Sequence, residues 1–276
     1  MKTFRFIGIA LFSILICVNF SSCSSSDDDP TEELEESEIT KEKKLMEIKL
    51  SYSWGGKYIA LFSYDKNGRL ISNKNKPDEW EEFSDGHCVE YTWGNNIIMG
   101  TTNSACDTYK LANGLIVDDE IEQYQYNSSN KPTSISNSKA GLKSLYQWED
   151  GNLINVNINN SSSIIQFSYS NETCKGYFPL MASALFYKVN CSTTYYNEWG
   201  LVIAHPELMG IKTKQLPNKI TETRILYYED GKPYDKDIDT YSIEYTFTTD
   251  GYIETCTIES NSSNRKETMI ATFKWQ

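Results

Sequence analysis

Along most of the chain, hydrophobic and polar residues alternate at period two. Tyr241, Ile243, Tyr245 and Phe247 are separated by Ser242, Glu244 and Thr246; Ile165, Phe167 and Tyr169 by Gln166 and Ser168; Met269, Ala271, Phe273 and Trp275 by Ile270, Thr272 and Lys274. Successive strand residues point to opposite faces, so this alternation predicts strands with one face buried.

The strands recur in a unit. Phe62 and Tyr64 precede Asn67-Gly68 and Leu70, and Tyr146 and Trp148 precede Asp150-Gly151 and Leu153. Tyr227-Tyr228 before Asp230-Gly231, and Tyr245 and Phe247 before Asp250-Gly251 and Ile253, continue the series. Tyr109 before Asn113-Gly114-Leu115, and Tyr124 and Tyr126 before Asn130 and Pro132, are degenerate copies. Asn-Gly and Asp-Gly supply the positive φ of tight hairpin turns, so each copy reads as strand, turn, strand. Hairpins of irregular spacing laid side by side predict an all-β fold, a long antiparallel sheet curled into a barrel-like or rolled form. One stretch, 176–210, breaks the rhythm. It carries Phe178-Pro179-Leu180-Met181 and the run from Trp199 to Met209, which read as short helices or apolar loops able to cap one end of the sheet. The strand pattern restarts at Leu216-Pro217-Asn218-Lys219-Ile220-Thr221.

The N-terminus is of another kind. Lys2 and Arg5 precede an uncharged apolar run over residues 6–20, the form of a secretory signal peptide and too short for a helix to cross a hydrocarbon core of about 30 Å. Phe20-Ser21-Ser22-Cys23 resembles the bacterial lipobox, with Phe20 in place of the usual leucine. That resemblance implies cleavage after residue 22 and lipid attachment at Cys23. Stable anchoring requires more than one acyl chain, which a multiply acylated N-terminus satisfies. The following Ser24-Ser25-Ser26-Asp27-Asp28-Asp29 resembles the surface-export signal of Bacteroidetes lipoproteins. Display on the outer face of the outer membrane is expected, with the periplasmic face as the alternative. Residues 23–44 read as an acidic tether and 45–276 as a single β domain.

The formal charge is −12, and cleavage removes Lys2 and Arg5 but no acid. Such a field repels polyanions, so nucleic acid is not expected as a partner. Hydrophobic residues make up 39% of the chain, yet 19 Tyr, 11 Phe and 6 Trp bring enough area to build a core. Of five cysteines in the body, Cys88 with Cys106 and Cys174 with Cys191 are the sequence-local pairings, with Cys256 left over. Connectivity stays open, as do buried free thiols.

These features together resemble one family: the large set of gut Bacteroidetes lipoproteins of unknown function with a porin-like β fold. The lipobox with its Ser/Asp run, the aromatic-x-aromatic hairpins, the apolar interruption and the Leu-Pro-Asn-Lys-Ile-Thr restart carry the resemblance, over roughly 45–276. It implies a long curled antiparallel sheet, soluble despite the family's name, and no catalytic residues. The missing outer apolar band agrees that the chain is no membrane channel.

Few residues carry a recognisable chemistry. His87 and His205 are the only histidines, and Cys88 next to His87 points to the opposite face of a strand, unsuited to a nucleophile–base pair. Asp235, Asp237 and Asp239 alternate like a calcium loop, but Thr240 and Thr246 occupy the positions of the turn glycine and the bidentate glutamate. No cofactor or metal is expected. The leading expectation is a non-catalytic module binding an extracellular glycan or protein, with Trp80, Trp93 and Trp148 as candidate stacking platforms. A carboxylate-dependent glycoside hydrolase and a structural envelope component are the alternatives.

Overall fold

A computed structural model describes residues 42–77, 87–158, 162–181, 196–227, 233–261 and 266–276. The signal peptide, Cys23 and all but the end of the tether lie outside the described residues. Sixteen strands follow in chain order: β1 (Leu45–Tyr52), β2 (Lys57–Tyr64), β3 (Leu70–Pro77), β4 (His87–Trp93), β5 (Ile97–Thr101), β6 (Cys106–Ala112), β7 (Leu115–Asp118) and β8 (Gln123–Tyr126). The second half comprises β9 (Pro132–Asn137), β10 (Leu142–Glu149), β11 (Asn152–Ile158), β12 (Ser163–Tyr169), β13 (Pro217–Tyr227), β14 (Pro233–Phe247), β15 (Ile253–Asn261) and β16 (Lys266–Trp275).

Each strand pairs antiparallel with its neighbours in sequence, and β1 pairs with β16 to close a barrel. The seam runs from Leu45 opposite Trp275 to Tyr52 opposite Met269. It is extended by reciprocal bonds between Lys44 and Gln276, at 2.7 and 2.9 Å. Closure leaves no edge strand to pair with another chain.

The repeated unit has a definite geometry. Even-numbered strands other than β6 end at or one residue past the second aromatic of the motif, and, β12 and β16 aside, a tight turn leads into the next odd strand. Asn113 and Gly114 (φ 53° and 78°), like Asp150 and Gly151 (48° and 82°), adopt the paired positive φ of the hairpin turn that their residue types favour. The register then slips by one residue. Gln147 faces Asn155 but Trp148 faces Leu153, and Ser63 faces Ser72 but Tyr64 faces Leu70. The resulting bulge flips the phase of the odd strand, so residues three apart share the inner face: Leu45 and Ile48, Leu70 and Asn73, Leu153 and Val156, Ile253 and Cys256 are all buried. The copy at Tyr227 belongs elsewhere. It ends an odd strand, and its turn, 228–232, lies outside the described residues.

Aromatics of the motif, the second of each pair except on β14, where it is the first, form a ring inside the turn end. Each donates from its polar tip to the carbonyl of the first or second residue of the neighbouring odd strand: Tyr64 to Leu45 (2.8 Å), Trp93 to Leu70 (2.8 Å), Tyr126 to Ile116 (2.6 Å) and Trp148 to Pro132 (2.8 Å). Tyr169 to Leu153 (2.7 Å), Tyr245 to Pro217 (2.7 Å) and Trp275 to Ile253 (2.7 Å) complete it. The gap falls at Leu111 on β6, the copy already degenerate in sequence. Leucine fills the space without a donor.

The wall is apolar inside and polar outside. On β12, Ile165 and Phe167 are buried while Gln166 and Ser168 are exposed; on β16, Ala271 and Phe273 are buried while Thr272 and Lys274 face out. A barrel wall in contact with lipid has the reverse arrangement. On these strands the polarity of the two faces is thus exchanged relative to a lipid-facing wall.

The interruption between β12 and β13 closes the turn end. Phe178, Leu180 and Met181 are buried, as are Leu201, Val202 and Ile203 of helix α1 (Tyr196–Ala204), which packs on β2 and β3. A 3-10 turn (Pro206–Met209) follows and ends at Gly210, φ 62°. A Cβ there would sit 1.8 Å from the Asn130 carbonyl oxygen, so glycine lets the plug meet the β8–β9 turn. Lys131 ties the same contact by donating to the Gly210 (3.1 Å) and Lys212 (2.6 Å) carbonyls.

Candidate binding cavity

Above the plug the barrel is hollow. The cavity has a volume of about 760 Å³, within the range of about 300–1,000 Å³ found for small-molecule sites. Leu180, Gly200 and Ile203 form its floor, and Ile48, Leu50, Ala60, Phe62, Ile165, Ile220, Ile258 and Met269 supply apolar walls. Tyr52, Trp54, Lys57, Glu267 and Thr268 lie at the opposite, loop end. Trp54 stacks on Tyr52 with ring centroids 5.2 Å apart and is itself 60% exposed.

A few polar side chains enter this apolar space. On β3, Asn73 and Asn75 are buried and line it; Gly200 of α1 is held against Asn73, where an added Cβ would fall 2.0 Å from Nδ2. On the facing strands, Glu222 and Arg224 of β13 sit opposite Asp239 and Asp237 of β14. An Arg224 terminal nitrogen donates to Asp237 (2.7 Å) and Asp239 (2.6 Å), and Arg224 Nε lies 3.9 Å from Glu222. Two carboxylates of the calcium-like pattern are thus engaged by a guanidinium. Among the described residues no group of three or more His, Cys, Asp or Glu is arranged to hold a metal.

The candidate stacking platforms are not brought together in this cavity. Trp93 belongs to the aromatic ring, half-buried, edge-on to His205 at 5.3 Å and beneath the Arg69 guanidinium. Trp148 occupies the equivalent place on β10 with Lys131 Nζ 4.8 Å from its ring centre. Neither lines the cavity, and Trp80 lies outside the described residues. Cys88, Cys106, Cys174 and Cys256 are free thiols, and Cys191 lies outside the described residues. Cys88 and Cys106 stand on β4 and β6 with β5 between them. Two strand spacings, about 9–10 Å, exceed the roughly 7 Å that a disulfide spans.

A second polar cluster closes the β7–β8 connection. Asp119 accepts the amide hydrogens of Ile121 (3.0 Å) and Glu122 (2.6 Å), and the Tyr124 hydroxyl donates to both Asp119 and Glu122. Burial pushes the Asp119 carboxyl above its ordinary value. These groups satisfy one another and stand apart from the cavity lining.

No protein-family model matches the chain, and no curated protein matches it. Solved structures do. A porin-like protein from Bacteroides uniformis ATCC 8492 superposes with a TM-score of 0.57 at 13% identity, covering 84% of this chain and 98% of that one. A porin-like protein from Bacteroides vulgatus ATCC 8482 gives a TM-score of 0.45 at 13% identity, covering 82% and 97%. The fold is porin-like. At this identity the likeness carries the architecture, and the expected all-β curled sheet is met as a closed antiparallel barrel.

Proposed function

We propose that the protein is a non-catalytic binding module that takes an apolar or amphipathic small molecule into the barrel, held at the outer membrane by lipid on Cys23 and displayed outward. The observation that carries the reading is the apolar cavity of about 760 Å³, floored by α1 and bounded at its far end by Trp54 and Tyr52. An apolar interior inside a polar wall suits a soluble container. It favours this class of ligand over the glycan expected from surface tryptophans, since Trp93 and Trp148 spend their indole N–H groups on backbone carbonyls.

The test is fluorescence titration of the purified full chain with N-phenylnaphthylamine, which brightens in apolar surroundings. Saturable binding is expected, and Ala60→Trp, which fills the cavity from β2, should abolish it with the circular dichroism spectrum unchanged. Absence of saturable binding by the folded chain would sink the reading. Anchorage has its own test: labelled palmitate should enter the wild-type chain in cells and not the Cys23→Ala variant.

A further inference from the structure

We infer that the cavity's ligand is an amphiphile whose polar end donates hydrogen bonds and carries no negative charge. The inference rests on the cavity reading above and deepens it by fixing the chemistry of the ligand's head.

Two walls supply the argument. Asn73 is 1% exposed and lines the cavity, yet its Oδ1 accepts no hydrogen bond. A buried acceptor left unmade is a standing cost in a folded protein, and a turn of the Asn73 side chain toward a donor arriving with a ligand relieves it. Asn75 lines the same wall one pleat nearer the loop end. Six and five strands away round the barrel, Glu222 and Asp239 reach the same space. Arg224 is shared among Glu222, Asp237 and Asp239, so acids outnumber the guanidinium that holds them. Nearer the loop end, Glu267 offsets Lys57. Among the described residues the lining thus presents an excess of acceptors and of negative charge.

Inside an apolar cavity such charges are weakly screened. A carboxylate or phosphate head would bring a like charge beside Glu222 and Asp239, which is strongly unfavourable there. A hydroxyl or ammonium head meets acceptors on both walls while its chain lies against Ile48, Ile165, Ile220 and Ile258. A bare hydrocarbon would leave Asn73 unsatisfied. The arrangement therefore selects on the head as well as on the chain.

Dodecanol, dodecylamine and dodecanoate share one chain and differ in the head. Each is titrated against N-phenylnaphthylamine bound to the full chain at neutral pH and low salt. The alcohol and the amine should displace the reporter at concentrations about tenfold lower than the carboxylate. Asn73→Leu, with Asn75→Leu as a second variant should the first fail to fold, should shrink that advantage with the circular dichroism spectrum unchanged. Equal or tighter binding of dodecanoate overturns the inference and leaves the cavity reading standing. Failure of the reporter to bind the folded wild-type chain removes both.

Discussion

His205 Nε2 accepts the backbone N–H of Leu70 at 3.1 Å, and this single bond fastens the plug to the first residue of β3. Both residues are buried. An acceptor Nε2 leaves the ring proton on Nδ1, which lies 2.7 Å from Glu207 Oε1. Burial works to raise the Glu207 carboxyl, but the hydrogen bond from His205, aided by the charge of Lys44, outweighs it and holds the group below its ordinary value. Replacing His205 with alanine leaves the Leu70 amide buried without an acceptor, a loss of about 1–3 kcal/mol. The midpoint of urea unfolding should fall accordingly, whereas Glu207→Gln should move it much less.

The aromatic ring makes a second prediction. Tyr169→Phe keeps the ring's packing and removes only its bond to the Leu153 carbonyl. A loss of about 1 kcal/mol is expected, seen as a lower unfolding midpoint at unchanged denaturant dependence. Leu111→Phe on β6, where no such bond exists, should lack this hydrogen-bond component. A larger loss at Tyr169 than at Leu111 is the outcome that supports the ring.

Thiol reactivity should separate the cysteines. Burial pushes the Cys256 thiol up to about 12 and Cys174 up to about 11, while Cys106 is exposed. The thiolate is the reactive form. Near pH 8, Cys106 should react first with a maleimide, and Cys256 only once the barrel unfolds. Mass spectrometry of the labelled native chain, digested after quenching, reads the order directly.

Asp250 should titrate far below an ordinary aspartate. Hydrogen bonds from Lys43, at 2.6 Å, and from Thr248 lower its carboxyl to about 2. Since the folded value lies below the unfolded one, the contact favours the fold above the ordinary aspartate range and is lost as pH falls from about 3.8 to about 2. The pair is exposed, so its effect on stability is small. Carbon-detected NMR should show the midpoint rising toward the ordinary value in Lys43→Ala.

Much of the architecture was legible because it is local. An aromatic on alternate positions, then Asp-Gly or Asn-Gly, specifies a hairpin from a few neighbouring residues, and the copies at Phe62, Tyr146 and Tyr245 all form one. The interruption at 176–210 was legible as a break in period, and the plug occupies that place. Asn73, Glu222, Arg224 and Asp239 were not legible as a site. Counting at period two from Leu70 sends Asn73 to the outside. The bulge after the turn reverses that phase, and the same slip beyond Pro217 brings Glu222 and Arg224 inward. A recurrent pair of apolar residues three apart at the start of odd strands was the available signal.

The sequence by itself determined the hairpins, their turns, the aromatic ring's donors and the break that became the plug, since each depends on contacts within one or two strands. Only the tertiary structure decided that β1 meets β16, that the interior is hollow, and that polar groups six strands apart face one space. Those outcomes depend on register summed around sixteen strands, where each one-residue slip exchanges inside for outside.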